Sequence, residues 1–277
     1  MLNLAKSSYY YKAKEQNETK LKTEADIQGR IEEIACEFQK YGYRRITKQL
    51  QRENIKINHK KVLRIMRENS LLCVGKRKWI NTTDSNHSLR TYPNMIKNAI
   101  VDRLNQIWIS DITYIRILTT FVYLAVILDI FSRKVIGYAI SKNINDDLTI
   151  HALRSAIRQR QPPDGCIHHS DRGVQYASDD YTNILKEHGF QISMSAKGNP
   201  YDNAKAESFM KTLKQEEVYL WDYKTFNDVA KRIPIFIEQV YNAKRLHSSL
   251  DYLPPDEFEM NFLNKEQQTE SFQLVTI

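Results

Sequence analysis

The chain has 277 residues, 42% of them hydrophobic, enough for one sizeable core and a smaller second domain. Its 41 Lys and Arg against 33 Asp and Glu leave a formal charge of +8, so a polyanion is the favoured partner. Cys36, Cys73 and Cys166 have neither paired nor zinc-like spacing, no N-terminal stretch has the apolar core of a signal peptide, and the longest apolar run, residues 121–128, is too short to span a bilayer. A disulfide scaffold and a membrane protein are thereby excluded, and a soluble protein of a reducing cytoplasm is expected.

The positive charge is concentrated at the front. Residues 1–99 carry 21 Lys and Arg against 10 Asp and Glu, whereas residues 100–277 carry 20 against 23. Residues 1–24 are polar, with a Ser-Ser-Tyr-Tyr-Tyr-Lys cluster at 7–12 whose rings either stack on bases or pack on the next helix. From residue 24 to 38, Ile27, Ile31, Ile34, Ala35 and Phe38 recur at helical spacing. After a turn at Tyr41-Gly42-Tyr43, short helices are predicted over 46–52 and 59–69. The second has Val62, Leu63, Ile65 and Met66 as apolar positions and Asn58 as N-cap. Lys60, Lys61, Arg64 and Arg67 on that helix leave two readings: a helix-turn-helix over about 42–70 with a basic recognition helix, or a small helical bundle with a solvated basic face. Residues 1–73 thus read as a helical region. Residues 74–100 lack periodicity and are expected to form a polar linker, in which Lys76-Arg77-Lys78 either grips phosphates or is merely solvated.

Residues 107–117 are β-branched and aromatic except where Asp111 interrupts them, a strand with Ile107, Ile109, Asp111 and Thr113 on one face. Strands over 121–130 and 135–140 follow short turns and complete an antiparallel meander. A helix capped by Asp146 or Asp147 runs to 160. Then come a strand at 166–169, a helix at 178–188, a strand at 191–194, and an amphipathic helix with Phe209, Met210 and Leu213 on its apolar side. This βββαβαβα order predicts an α/β fold over 101–220, with a mixed five-stranded sheet flanked by helices on both faces. A helix over 225–243, kinked by Pro234, belongs to a helical extension over 221–263, and 264–277 are expected to be a loose tail.

Three acids stand out by position. A carboxylate on the apolar strand at Asp111 is costly unless paired or metal-bound, which leaves a salt bridge to a buried base or a metal as its explanations. Asp171, between a short apolar run and Arg172-Gly173, falls in a loop just past a strand's carboxyl end. Glu207 has Lys211 and Lys214 four and seven residues further on, one face of a helix, suited to a metal-bound, phosphate-rich substrate. Exposed helices also carry such Glu-Lys pairs for solvation alone. Asp129, acidic in an apolar strand, lies beside Ser132 and Arg133, where a local bond or salt bridge accounts for it.

The order Asp111, Asp171, Glu207, with 35 residues between the last two, resembles the DDE catalytic core of retroviral-integrase-like transposases, whose fold is ribonuclease H-like. Local words narrow the resemblance: Trp-Ile-Ser-Asp-Ile-Thr-Tyr (108–114), Leu-Asp-Ile-Phe-Ser-Arg (128–133), His-Ser-Asp-Arg-Gly-Val-Gln-Tyr (169–176), Gly-Asn-Pro-Tyr-Asp-Asn-Ala (198–204) and Glu-Ser-Phe (207–209). Together they are similar to the second-reading-frame (orfB-type) transposase proteins of bacterial insertion sequences that move through a circular DNA intermediate, over about residues 42–258.

The resemblance implies Asp111, Asp171 and Glu207 as catalytic and metal-binding residues for two Mg²⁺ ions, with Mn²⁺ as a substitute. The implied activity is DNA cleavage and strand transfer at element ends. It also implies DNA contacts from the helix bearing Lys60, Lys61, Arg64 and Arg67, and terminal phosphates held by Lys214 and Lys211. Lys197 and Asn203 would shape the approach, and Asp202 would cap the Glu207 helix. Double-stranded DNA, further copies of the chain and a first-reading-frame protein, as partner or fusion, are the implied partners. The family usually has Gly where this chain has Asp251, which leaves the local turn open, and His247 either contacts DNA or caps the core helix as a structural residue. Two other functions remain: a DNA-binding regulator without catalysis, and a ribonuclease H-like nuclease, which would have little use for the basic front.

Overall fold

The structure, a computed structural model, describes residues 18–73, 90–196 and 203–275, and within them the side chains of residues 23–268. The tyrosine cluster at 7–12, the basic run at 76–78, Lys197 and Asp202 lie outside the described residues. The chain forms two compact units that divide between residues 76 and 77.

The first unit contains helices α1 (Glu18–Glu37), α2 (Tyr43–Arg52) and α3 (His59–Glu68). Ile31, Ile34, Ile46, Leu50, Val62, Ile65 and Met66, the positions that recur at helical spacing, are all buried and close its core. α1 begins six residues earlier than its apolar period indicates, and α2 begins at Tyr43 because Gly42, extended at φ −82°, is its N-cap. Asn58 caps α3, its Oδ1 accepting the Lys60 amide at 2.8 Å. Arg30 of α1 clamps Glu53 at the end of α2 with two bonds of 2.7 Å.

The second unit is built on a five-stranded sheet in the order β3-β2-β1-β4-β5, with β1 (Ile107–Arg116), β2 (Phe121–Asp129), β3 (Val135–Ser141), β4 (Ile167–Ser170) and β5 (Gln191–Met194). The first three strands are antiparallel, and β4 and β5 run parallel to β1. Alternation along β1 divides the core. Ile107, Ile109 and Ile115 join the cluster under α7 (Ala204–Leu213) and α8 (Phe226–Ile235), while Trp108 and Ile112 face α4 (Asp146–Arg160) and α6 (Asp179–Glu187). α4 comes so near β3 that a Cβ at Gly137 would meet the Ala152 carbonyl oxygen at 2.5 Å.

The structure corrects several expected boundaries. The N-cap of α4 is Asn145; Asp146 and Asp147 lie in the first turn, where the helix dipole favours acids. A one-turn helix, α5 (Val174–Ala177), precedes α6. α7 passes into a π-helical turn at Lys214–Val218, and α8 continues through Pro234 into another at Phe236–Asn242. Proline has no amide to donate, so the change of hydrogen-bonding register there follows from its chemistry. The expected tail is helical as far as Val275: α9 (Pro255–Val275) runs through it. Phe258 and Phe262 anchor the start of α9 on Phe131, with ring centroids at 5.3 and 4.8 Å, and Glu259 pairs with Arg160 and Lys134. Once a first turn is fixed, propagation needs no apolar stripe.

Candidate active site

Asp111 and Asp171 are brought together by the pairing of β1 with β4. Ile109 pairs with His169 in parallel register, so Asp111 comes level with Asp171, the first residue past β4. Asp111 keeps some solvent access, and its Oδ1 accepts the amide of Ile112 at 2.9 Å. Burial, then the negative charge of Asp171, pushes its carboxyl up to about 8. Glu207 adds to that push, while the Ile112 amide and Lys214 oppose it. Asp171 Oδ1 accepts the Gly173 amide at 2.9 Å, and a Cβ at Gly173 would stand 3.0 Å from that same oxygen.

α7 carries the third acid over this pair. Ala206, Phe209, Met210 and Leu213 seat the helix on the sheet, which leaves Glu207 and Lys211 exposed. Burial still raises the Glu207 carboxyl. Asn203 stands at the N-cap position without capping; its Nδ2 donates to the Ser110 carbonyl at 3.3 Å and so ties the start of α7 to the residue before Asp111. Lys214 is half-buried, with its Nζ 4.6 Å from the centroid of the Tyr114 ring on β1. Burial lowers its pKa, and Asp111 acts in the opposite sense.

Carboxylate oxygens are the ligands that hard divalent cations take. Among the described residues no group of three His, Cys, Asp or Glu lies close enough to hold a metal ion. The three acids therefore share an electrostatic environment without closing into a ligand cluster.

The basic helix α3 is less open than its sequence indicates. Glu24 of α1 pairs with Arg64 and, at 3.8 Å, with Lys61, while Lys60 and Arg67 are exposed without an ion-pair partner among the described residues. Asp129, His247 and Asp251 are structural. Asp129 is fully buried, accepts the Asn105 and Phe131 amides at 2.7 and 2.8 Å, and has Arg160 at 4.0 Å. The His247 ring packs edge-on to Tyr241 at 4.9 Å in the core. Asp251 adopts the left-handed conformation at φ 51°, so the turn that glycine usually occupies is kept.

Sequence reasoning missed the support behind Asp171. His169 is fully buried, with Nδ1 2.8 Å from Ser193 Oγ and Nε2 3.0 Å from Ser195 Oγ. The Met95 amide donates to Ser193 Oγ at 2.9 Å, and Arg172 Nε donates to the Ser195 carbonyl at 2.8 Å. These bonds join β4 to the end of β5 beneath the Asp171 loop. The adjacency of His169 to Ser170-Asp171 was its only local signal. Further along the α7 helix, Arg245 forks onto Glu216 with two bonds of 2.7 Å, and Glu217 accepts from Arg232 at 2.8 Å and Tyr223 at 2.6 Å.

The fold and the paired acids define a protein of the integrase-core class, preceded by a small helical domain. Known families agree: the integrase core domain matches residues 101–200 and, in a second description, 188–255, and the HTH-like domain matches 22–79. The chain is 39% identical to the transposase of insertion sequence element IS904 from Lactococcus lactis, over 79% of this chain and 87% of that protein. It is 33% identical to the transposase InsF of IS3A from Escherichia coli K12, over 94% and 91%. The solved magnesium complex of the HTLV-2 integrase catalytic core is 18% identical, with a TM-score of 0.40 over 52% of this chain and 91% of that one. The chain belongs to the IS3 family of insertion-sequence transposases and is of the orfB type. No helix among its described residues is long and apolar enough to cross a membrane.

Proposed function

We propose that the chain cleaves DNA at the ends of its insertion sequence and transfers the freed strand, with Asp111, Asp171 and Glu207 as catalytic and metal-holding residues. The observation that carries this reading is the level placement of Asp111 on β1 and Asp171 just past the end of the adjacent β4, where the charge of Asp171 disfavours that of Asp111. The donor set suits Mg²⁺, with Mn²⁺ as a substitute, and two such ions when bound supply activation of the attacking oxygen and stabilisation of the leaving one. Asp111, which feels the charge of both other acids, would help to hold both ions, and Asp171 and Glu207 would each help to hold one. Glu207 has to come down from its exposed position to do so.

In the first step a water oxygen bonds to phosphorus as the bond to the 3′-oxygen breaks, and the 3′-oxygen leaves as a hydroxyl. In the second, the oxygen of that hydroxyl bonds to the phosphorus of a target phosphodiester and loses its proton, as the bond to the target's own 3′-oxygen breaks and that oxygen leaves as a hydroxyl. On this reading Lys214, steadied over Tyr114, would hold a terminal phosphate, and Lys211 would meet another from the exposed side of α7. In the front unit Lys60 and Arg67 offer charge to the DNA backbone directly, whereas Lys61 and Arg64 must share theirs with Glu24. Partners on this reading are double-stranded DNA, further copies of the chain on paired ends, and a first-reading-frame protein.

The test is an Mg²⁺-dependent cleavage and strand-transfer assay on the element's own end DNA, comparing the intact protein with Glu207→Gln, each alone and as a two-frame fusion. Joined products that vanish in the variant are expected. Equal DNA binding with no product from any form would overturn the catalytic reading in favour of a DNA-binding regulator, and hydrolysis of RNA in a hybrid without joining would favour a nuclease.

A further inference from the structure

The two basic helices of the first unit meet at their starts. Tyr43 opens α2 and His59 opens α3, and their rings lie 6.1 Å apart between centroids with the planes tilted by 31°. The Arg44 guanidinium lies over the Tyr43 ring, 5.1 Å from its centroid. Lys60 follows His59 in the first turn of α3, which the Asn58 cap fixes by accepting the Lys60 amide at 2.8 Å. Ile46 and Leu50 seat α2, and Val62, Ile65 and Met66 seat α3. The four residues therefore stand on packed helices, with Tyr43 half-buried and Arg44, His59 and Lys60 exposed.

Charge along α3 is graded. Arg64, one turn beyond Lys60, is paired with Glu24, and Lys61 has the same acid at 3.8 Å. Arg44, His59 and Lys60 have no ion-pair partner among the described residues. Gly42 caps α2 without a side-chain bond, so the first amides of that helix add positive potential at the same edge. Positive charge is thus unopposed where the two helices begin and opposed one turn into α3. A duplex complements such an edge, its phosphates taking the cations and its base edges the ring nitrogens.

We propose that the front unit meets duplex DNA by this edge: Arg44 and Lys60 grip backbone phosphates, and His59, braced by the Tyr43 ring, reads a base edge in the major groove. The inference rests on the transposase reading, under which DNA is the partner, and says which end of α3 reaches it. A helix that enters the groove by its start places its first residues on the bases, while the helix before it lies on the backbone. His59 and Arg44 occupy those two places. The guanidinium, laid against a ring, is already oriented for a phosphate, and the imidazole can both donate and accept at a base.

The test is the binding of the full chain, by fluorescence anisotropy over a range of salt concentrations, to a labelled duplex of the terminal sequence and to an unrelated duplex of equal length. Arg44→Ala and Lys60→Ala should each weaken both complexes and shrink the slope of log K against log salt by about 0.9. His59→Ala should weaken the terminal complex roughly tenfold, with the unrelated complex changing far less. All three side chains are exposed, so melting midpoints should stay at the wild-type value, which separates a lost contact from a lost fold. An equal loss on both duplexes from His59→Ala, or a wild type that prefers neither, would overturn the reading of bases by His59. Unchanged affinity and slope in all three variants, while the wild type binds normally, would overturn the whole edge and leave the transposase reading standing. A wild type that bound neither duplex would overturn both.

Discussion

Asp111 and Asp129 stand on neighbouring strands of one sheet, and burial lifts the carboxyl pKa of both, yet their surroundings are opposite. Asp129 ends β2 at a turn that folds two backbone amides onto its oxygens. Asp111, in mid-strand, receives one amide from the residue after it and faces a second acid. The chain supplies the donors of the first carboxylate and leaves the second short of positive charge. An acid in an apolar strand is therefore not in itself the mark of a site; what separates the two is whether the local backbone satisfies it.

The largest expected effect that sharpens this comparison is on activity. Asp111→Asn should reduce strand transfer by on the order of 10³-fold or more without lowering the melting midpoint, because an amide has the shape of the protonated carboxyl and cannot take on the charge that burial and Asp171 disfavour. Retained activity, or loss of the fold, would erase the distinction between the two acids. Asp129→Ala should do the reverse, costing roughly 3 kcal/mol of stability in urea unfolding, since it orphans two buried amides. A cost under about 1 kcal/mol would show that the turn does not depend on its acid.

A smaller effect concerns pH. The folded chain binds the Asp111 proton more tightly than the unfolded chain, whose carboxyl titrates near 3.8, so ionisation above that value favours unfolding. Stability without divalent metal should therefore fall as pH rises from about 4 to about 8, and fall further than in Asp111→Asn. Mg²⁺ should flatten the difference by favouring the charged form. Parallel pH profiles for wild type and variant would remove Asp111 as the cause.

Much of the second unit was legible because its strands alternate and its turns are short: Gln191–Met194 falls where its pattern places it, and the meander begins and ends within a residue or two of expectation. The rest was hidden for particular reasons. Four residues, Val174–Ala177, are too few to display a helical period. At the start of α4 an amide and two acids are all competent caps, and composition does not choose among them. Glu24 lies 40 residues before Arg64, so nothing local announces that the basic helix is partly neutralised. Of the site, the sequence points at Asp111, Asp171 and Glu207 one at a time, through strand, loop and helix patterns and through family resemblance. That the first two lie level depends on the register between β1 and β4, strands nearly sixty residues apart, and that Glu207 remains exposed depends on how α7 is seated.

Gly173 has an unremarkable φ of −63°, so what its position demands is room, not conformational freedom. Insertion sequences multiply as copies, and copies diverge. One that exchanged this glycine for alanine would inherit all three acids, the sheet and the helical front, yet would carry a methyl group pressed against the Asp171 oxygen. An inventory of acidic residues would not register the change, although the carboxylate would have to shift by a few tenths of an ångström to make room. A missing carbon atom is as heritable a part of this chain as any carboxylate.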